Sequence, residues 1–395
     1  MLKRALFYEL KKYFNHKNAL IVTGMRQVGK TTLLRQVFAE IPEPKIWFDF
    51  DNPLDQKLFE QQDYENIHHD VCRLAKAQKD QRLYVFIDEI QNFPEITKII
   101  KFLIDHHRVK FFVTGSSNFY LKNLFPESLS GRKFLFDLPP LSFQEYCYFQ
   151  NNSDIQDVLP GSSLVIFSTH TEFESEKLKT QYDEYLEFGG FPEVVITEDH
   201  ETKRLVLKNI FSSFFEKDLK ILADYKDSKE LRDLIILLAP RVGSMLDVTK
   251  ISSELGISRP KLYSYLEFLQ GTFLIRLLPK FSKSLDRSIA GGKKVYFTDT
   301  GLLRLVAPVT DGQVFENAVV NQLAARGGLS FYQYRHTKEI DIIFNKSVAL
   351  EIKLSGSEYD LRDVKKVASA LGLKESFVVS KKYKKETGFL SPAFL

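Results

Sequence analysis

Three groups of residues in this 395-residue chain have the types and spacing to do chemistry. The first is Gly24-Met25-Arg26-Gln27-Val28-Gly29-Lys30-Thr31, the G-x-x-x-x-G-K-[ST] spacing of a phosphate-binding loop. Gly24 and Gly29 let the backbone curl until successive N–H groups aim at one phosphate. Lys30 can then reach the β and γ phosphates, and the Thr31 hydroxyl can ligate Mg²⁺. The second group is Asp88-Glu89, delivered by the apolar run Leu83-Tyr84-Val85-Phe86-Ile87. At the C-terminal edge of a parallel sheet, where α/β folds bind ligands, Asp88 would hold Mg²⁺ and Glu89 would orient and deprotonate the attacking water. The third lies in the C-terminal third: Glu316 on a helix beginning near Gly312, Asp341 opening one apolar run, and Glu351-Ile352-Lys353 closing the next.

These groups need elements to position them. Ala19–Thr23 reads as the strand before the loop, and a helix from about Lys30 to Phe38 follows, its positive N-terminal end aimed at the same anion. Further strands are expected at Lys45–Phe50, Lys110–Thr114 and Lys133–Leu138, with segments between them long enough for crossover helices. The result is a five-stranded parallel sheet with helices on both faces. The fourth strand ends in Thr114-Gly115-Ser116-Ser117-Asn118, polar groups that either sense a γ-phosphate or cap the next helix.

The strand order, with Ser130-Gly131-Arg132 before the fifth strand, resembles AAA-type ATPases, in which an arginine at this place completes a neighbour's active site. The resemblance makes Arg132 a candidate arginine finger and implies a homo-oligomer, although a surface ion pair would place the same residue there. A closer resemblance rests on Gly24-x-Arg26-x-x-Gly29-Lys30-Thr31-Thr32, Asp88-Glu89-Ile90-Gln91, Thr114-Gly115-Ser116-Ser117, Gly131-Arg132, Pro140-Leu141-Ser142-Phe143-x-Glu145-Tyr146 and Gly189-Gly190-Phe191-Pro192. Together they are similar to a prokaryotic group of AAA-like P-loop ATPases with a C-terminal domain of unknown function 4143. This likeness implies ATP and Mg²⁺ as cofactors, ATP hydrolysis, nucleotide contacts at Arg26, Thr32 and Ser116 besides the loop, and a nuclease-like C-terminal domain.

The C-terminal constellation resembles the PD-(D/E)-x-K nuclease core, of restriction-endonuclease type. That resemblance implies metal ligation by Asp341, Glu351 and Glu316 and catalysis by Lys353. The first motif, Glu339-Ile340-Asp341, lacks the proline of the pattern.

Between the two ends, residues 148–230 read as a linker and helical lid, with helices through Tyr182–Phe188 and Arg204–Ala223 and a helix stop at Gly189-Gly190. Residues 231–280 read as a winged-helix module: Val248–Leu255, a turn at Gly256, Arg259–Gln270, and a hairpin within 271–278. Arg259, Lys261 and Ser264 are its candidate DNA contacts. Five basic against three acidic side chains in residues 245–280 is a weak footprint for phosphate neutralisation, which favours a protein-contact or architectural role. The domains are thus 1–147, 148–230, 231–280 and 281–395.

Lys280, Lys283, Arg287, Lys293 and Lys294 form a basic stretch that could track a phosphate backbone or simply be solvated; Lys381-Lys382-Tyr383-Lys384-Lys385 is similar. The pairs His68-His69 and His106-His107 point their rings apart from single helices, so zinc is not expected. Two cysteines without ligand spacing fit a reduced cytoplasm, and no apolar run is long enough to span a bilayer. The net charge of +4 does not announce nucleic acid. Three functions stay open: an ATPase acting on DNA or a protein partner, an ATP-gated DNA nuclease, and a nucleotide-dependent binding switch.

Overall fold

The computed structural model describes residues 2–78, 81–115, 129, 131–150, 171–218, 225–282, 284, 291–334 and 338–395. Ser116–Asn118, Ser130, the linker at 151–163, Lys283 and Arg287 lie outside them. The chain divides into two compact units, Met1–Pro139 with Gly271–Phe273, and Pro140–Gln270 with Leu274–Leu395.

In the first unit, β1 (Ala19–Thr23), β2 (Lys45–Asp49), β3 (Tyr84–Asp88), β4 (Lys110–Gly115) and β5 (Lys133–Asp137) form one parallel sheet in the order β2-β3-β4-β1-β5. β1, β3 and β4 are buried at every residue, whereas the edge strands β2 and β5 are largely half-exposed. Uninterrupted apolar sequence is what a strand covered on both faces requires. One face, with Ile21, Val85 and Phe111, packs against the helices Tyr64–Leu74 and Ile96–His107. The other meets the helix Lys30–Glu40 through Phe38 on Phe86, ring centroids 4.9 Å apart.

The second unit holds a five-stranded mixed sheet and a set of helices. β8 (Leu329–Tyr334), β9 (Lys338–Phe344) and β10 (Val348–Lys353) run antiparallel, β11 (Glu375–Ser380) adds parallel to β10, and β12 (Phe389–Leu390) adds parallel to β11. The helix Glu358–Leu371 covers the sheet with Leu361, Val364 and Val367. The helix Asp311–Ala324 is buried on most of its circumference. Asn317 pairs with both backbone groups of Phe297, accepting from its N–H at 2.8 Å and donating to its carbonyl at 2.9 Å.

Helices Val248–Leu255 and Arg259–Gly271 meet at Gly256 as expected, but the hairpin does not lie within 271–278. β6 (Ile275–Pro279) pairs instead with β7 (Lys293–Phe297), well beyond the local sequence. Lys261 is tied to Asp227 at 2.7 Å and Glu230 at 2.6 Å, so this cation is already neutralised within the unit. Ser142-Phe143-x-Glu145 is a capping box that starts the helix Phe143–Phe149.

Gly189-Gly190 ends the helix Glu172–Phe188 against Asp299. The Asp299 carboxylate accepts the N–H groups of Gly190 at 2.7 Å and Leu302 at 2.9 Å, and a Cβ on Gly189 would stand 2.2 Å from its oxygen. Burial pushes this carboxyl up to about 6, against the pull of those N–H bonds. A carboxyl with a raised folded-state value favours folding while protonated, so its contribution falls as pH rises from about 4, its unfolded value, to about 6. Asp299→Asn should remove that component: the wild-type-minus-variant difference in urea midpoint should change most between those pH values and level off above them.

Candidate functional site

The loop after β1 is shaped by backbone that side chains resist. Gly24 has φ +152° and Gly29 φ +94°, and a Cβ on Gly24 would meet the Leu138 carbonyl oxygen at 2.2 Å. Gly29 is the N-cap of the helix Lys30–Glu40, so the loop opens onto a helix N-terminus. Lys30 is buried and its ammonium donates to the carbonyls of Gly24 at 3.0 Å and Met25 at 2.9 Å. Thr31 is half-buried, Arg26 half-buried and Thr32 exposed. Arg4, in the N-terminal segment, is buried and donates to Val28 within the loop at 3.0 Å and to Pro139 at 2.9 Å.

The order of the sheet puts β4 between β1 and β3, so Thr114 stands beside Asp88 at the C-terminal edge. The Thr114 hydroxyl donates to the Asp88 carboxylate and accepts the N–H of Glu89 at 3.2 Å. Burial raises the Asp88 carboxyl above its ordinary range, opposed by hydrogen bonds from Thr114 and Thr31. Thr31, in the first turn of the loop helix, is thus near enough to lower the Asp88 value, and the two are the pair that would share a Mg²⁺ ion. Glu89 has φ +55°, which turns it off the strand, and Gln91 donates to its carboxylate. Ser116 lies outside the described residues.

Arg132 sits elsewhere. Its carbonyl accepts the N–H of Ala19, the first residue of β1, so it marks the N-terminal edge of the sheet, about 16 Å of strand from the phosphate loop. Its guanidinium bonds Asp105 at 2.6 Å. From there it cannot reach its own chain's phosphate loop.

In the second unit the C-terminal acids do gather. One step beyond the paired Leu350 and Ile342, Glu351 stands across from Asp341 on the same face. Asp341 accepts the N–H of Ile352 at 2.8 Å, Glu316 accepts the Tyr296 hydroxyl at 2.7 Å, and Lys353 pairs with Glu351 at 2.8 Å. Burial, then mutual repulsion with Asp341, holds Glu316 and Glu351 well above the carboxylate range.

Among these acids lies Lys294, which the sequence places in a basic surface stretch. The structure corrects that: its ammonium is 3% exposed, 2.6 Å from Glu339 and 3.9 Å from both Glu316 and Asp341. Burial opposes its charge and the carboxylates outweigh that, raising its value. The ligand oxygens of Glu316, Asp341 and Glu351 do not all fall within 4.8 Å of one another. A protein cation, rather than the geometry of a metal site, balances this cluster.

Residues 16–147 match the family described as AAA domain, 179–313 match domain of unknown function 8612, and 311–388 match domain of unknown function 4143. This chain carries an AAA domain followed by a domain of unknown function 4143. An uncharacterized protein of Methanocaldococcus jannaschii is 26% identical over 373 residues, covering 89% of this chain and 79% of its own. One of Haemophilus influenzae is 26% identical over 361 residues, covering 86% and 84%. Among solved structures, a Walker-type ATPase of Pyrococcus abyssi aligns over 76% of this chain and 94% of its own, at 15% identity and a TM-score of 0.48.

Sequence reasoning missed Arg4 and Lys294, because a lone basic residue carries no sign of burial. It also missed a meeting of His68 and His107 from two helices of the AAA domain, where ligand geometry was not expected. Lys294→Met should cost about 3–5 kcal/mol in urea unfolding of the second unit, since it leaves buried acids unpaired. Lys294→Arg should recover part of the loss.

Proposed function

We propose that this chain binds ATP and hydrolyses it with Mg²⁺, and that the second unit directs that cycle at DNA or a protein partner. The observation that carries the first half is the hydrogen bond of Thr114 to Asp88 at the same sheet edge as a glycine-rich loop whose carbonyls hold the buried Lys30. Gly24 and Gly29 bring backbone N–H groups to the phosphates, with Arg26, Thr32 and Ser116 as further contacts. Thr31 and Asp88 are the residues to hold Mg²⁺, which neutralises phosphate charge when bound. Lys30 exchanges its two carbonyl partners for phosphate oxygens. Glu89, positioned by Gln91, accepts the proton of the attacking water. Thr114 links the site to β4, so a change at the phosphate reaches Asp88 and the backbone of Glu89 together.

The position of Arg132 supports a finger that serves a second copy rather than its own chain, released from Asp105 on assembly. The order of the helix Asp311–Ala324, the meander β8-β9-β10, the helix Glu358–Leu371 and the parallel β11 supports a restriction-endonuclease-like reading, with Glu316, Asp341, Glu351 and Lys353 as its candidate site. With Lys294 among the acids, the arrangement does not fit a divalent ion as it stands, and we read residues 281–395 as a binding module that follows the winged-helix-like element at 231–280. Residues 148–230 are read as the linker and helical lid, with the helices Glu172–Phe188 and His200–Ser213 within them.

Lys30→Ala should abolish ATP binding measured by calorimetry. Glu89→Gln should bind ATP normally and lose about 10²–10⁴-fold in turnover, and undiminished hydrolysis would remove Glu89 as base. Stimulation of turnover by duplex DNA favours DNA as the target, and indifference to it favours a protein partner. If Arg132 acts in trans, turnover per chain should rise with concentration, and mixing Arg132→Ala with Glu89→Gln chains should restore activity that neither has alone.

A further inference from the structure

The helix Tyr64–Leu74 carries Glu65, His68 and Cys72 at i, i+3 and i+7, which is one helical face. His107, the last residue of the helix Ile96–His107, packs onto that face. Its ring stacks on His68 with centroids 3.7 Å apart and planes 22° apart, and its Nε2 lies 3.0 Å from the Glu65 carboxylate. The Cys72 sulfur is 3.3 Å from Nε2 of His68. We propose that Glu65, His68 and His107, with Cys72 beside them, form a binding site for a transition-metal dication of the Zn²⁺ class that joins these two helices of the AAA domain.

Two observations support a metal over a network of hydrogen bonds. First, Nε2 of His107 is buried without a hydrogen-bond partner, although the Glu65 oxygen is 3.0 Å away. The carboxylate is close but out of line with the ring N–H, so charge is near while the nitrogen's own direction is unfilled. Second, the ligand atoms of Glu65, His68 and His107 all lie within 4.8 Å of one another, and theirs is the one trio of this kind among the described residues. Three ligand atoms about 2.1 Å from one tetrahedral ion stand about 3.4 Å apart, so binding requires the stacked rings to swing apart until their nitrogens point to one place.

The donor set selects the ion. Two imidazoles with one carboxylate and a thiol suit Zn²⁺ or its neighbours, whereas Mg²⁺ and Ca²⁺ prefer oxygen. Glu65 is 55% exposed at its side chain, which leaves an entry path and an open coordination position. The site belongs to the helices covering the Ile21, Val85 and Phe111 face of the sheet, and the ion's effect would be to fix the end of a helix whose Asp105 holds Arg132.

Co²⁺ added to the nucleotide-free full chain, followed by visible absorption and calorimetry, tests this directly. The expected result is one Co²⁺ per chain with the intense d–d bands of low coordination number, displaced by Zn²⁺. The double variant His68→Ala/His107→Ala, and His107→Gln alone as a milder change, should lose about tenfold or more in affinity. His69→Ala/His106→Ala should bind like wild type, and Zn²⁺ should raise the unfolding temperature of that control and of wild type only. Absence of Co²⁺ binding, or binding that persists in folded His68→Ala/His107→Ala protein, overturns the proposal, the latter by placing the ion elsewhere.

Discussion

A carboxyl group buried at the end of a parallel strand has to be given donors, and Asp88 is such a group. Leaving it unsatisfied would cost several kcal/mol, so the residues around it are chosen by that need. Thr114 answers from β4 and Thr31 from the first turn of the loop helix. Each of these contacts fixes something else. Thr114 also takes the N–H of Glu89, so the turn that swings Glu89 off the strand is tied to the same hydroxyl. The close passage of Gly24 under the Leu138 carbonyl and the clamp of Arg4 on Val28 hold the loop where Thr31 can reach. The glycine-rich loop and the acidic pair are thus one connected arrangement, held together by hydrogen bonds at the C-terminal edge of the sheet.

The second unit satisfies its buried acids in another way. Three carboxylates from a helix and from β9 converge on the ammonium of Lys294, delivered by β7. A short-stemmed or neutral residue there would leave like charges facing each other in a poorly solvated space. The cation therefore balances this acidic cluster from within the chain. It also explains why β7 must pair with β6 and lie alongside the helix Asp311–Ala324, to which Asn317 ties Phe297. The Asp299 lock on Gly190 does the same work among the helices, joining the end of one to the start of another through backbone N–H groups.

Residue types and local spacing were enough to place the phosphate loop, its glycines, the five parallel strands and the acidic pair, because each depends on a few consecutive residues and a single period. The same held for the helix stop at Gly189-Gly190. What sequence could not supply was which segments share a volume. Inserting β4 between β1 and β3 turned Thr114 from one polar residue among several into the partner of Asp88. Arg132 fell at the far edge of the sheet for the same reason. Lys294 became a buried counter-ion because β7 runs beside three acids, and His68 met His107 because two crossover helices pack on one face. Chain-local periodicity fixes what a segment presents, but the pairing of distant segments fixes its neighbours, and in a low-dielectric interior the neighbours decide which charges and lone pairs are satisfied.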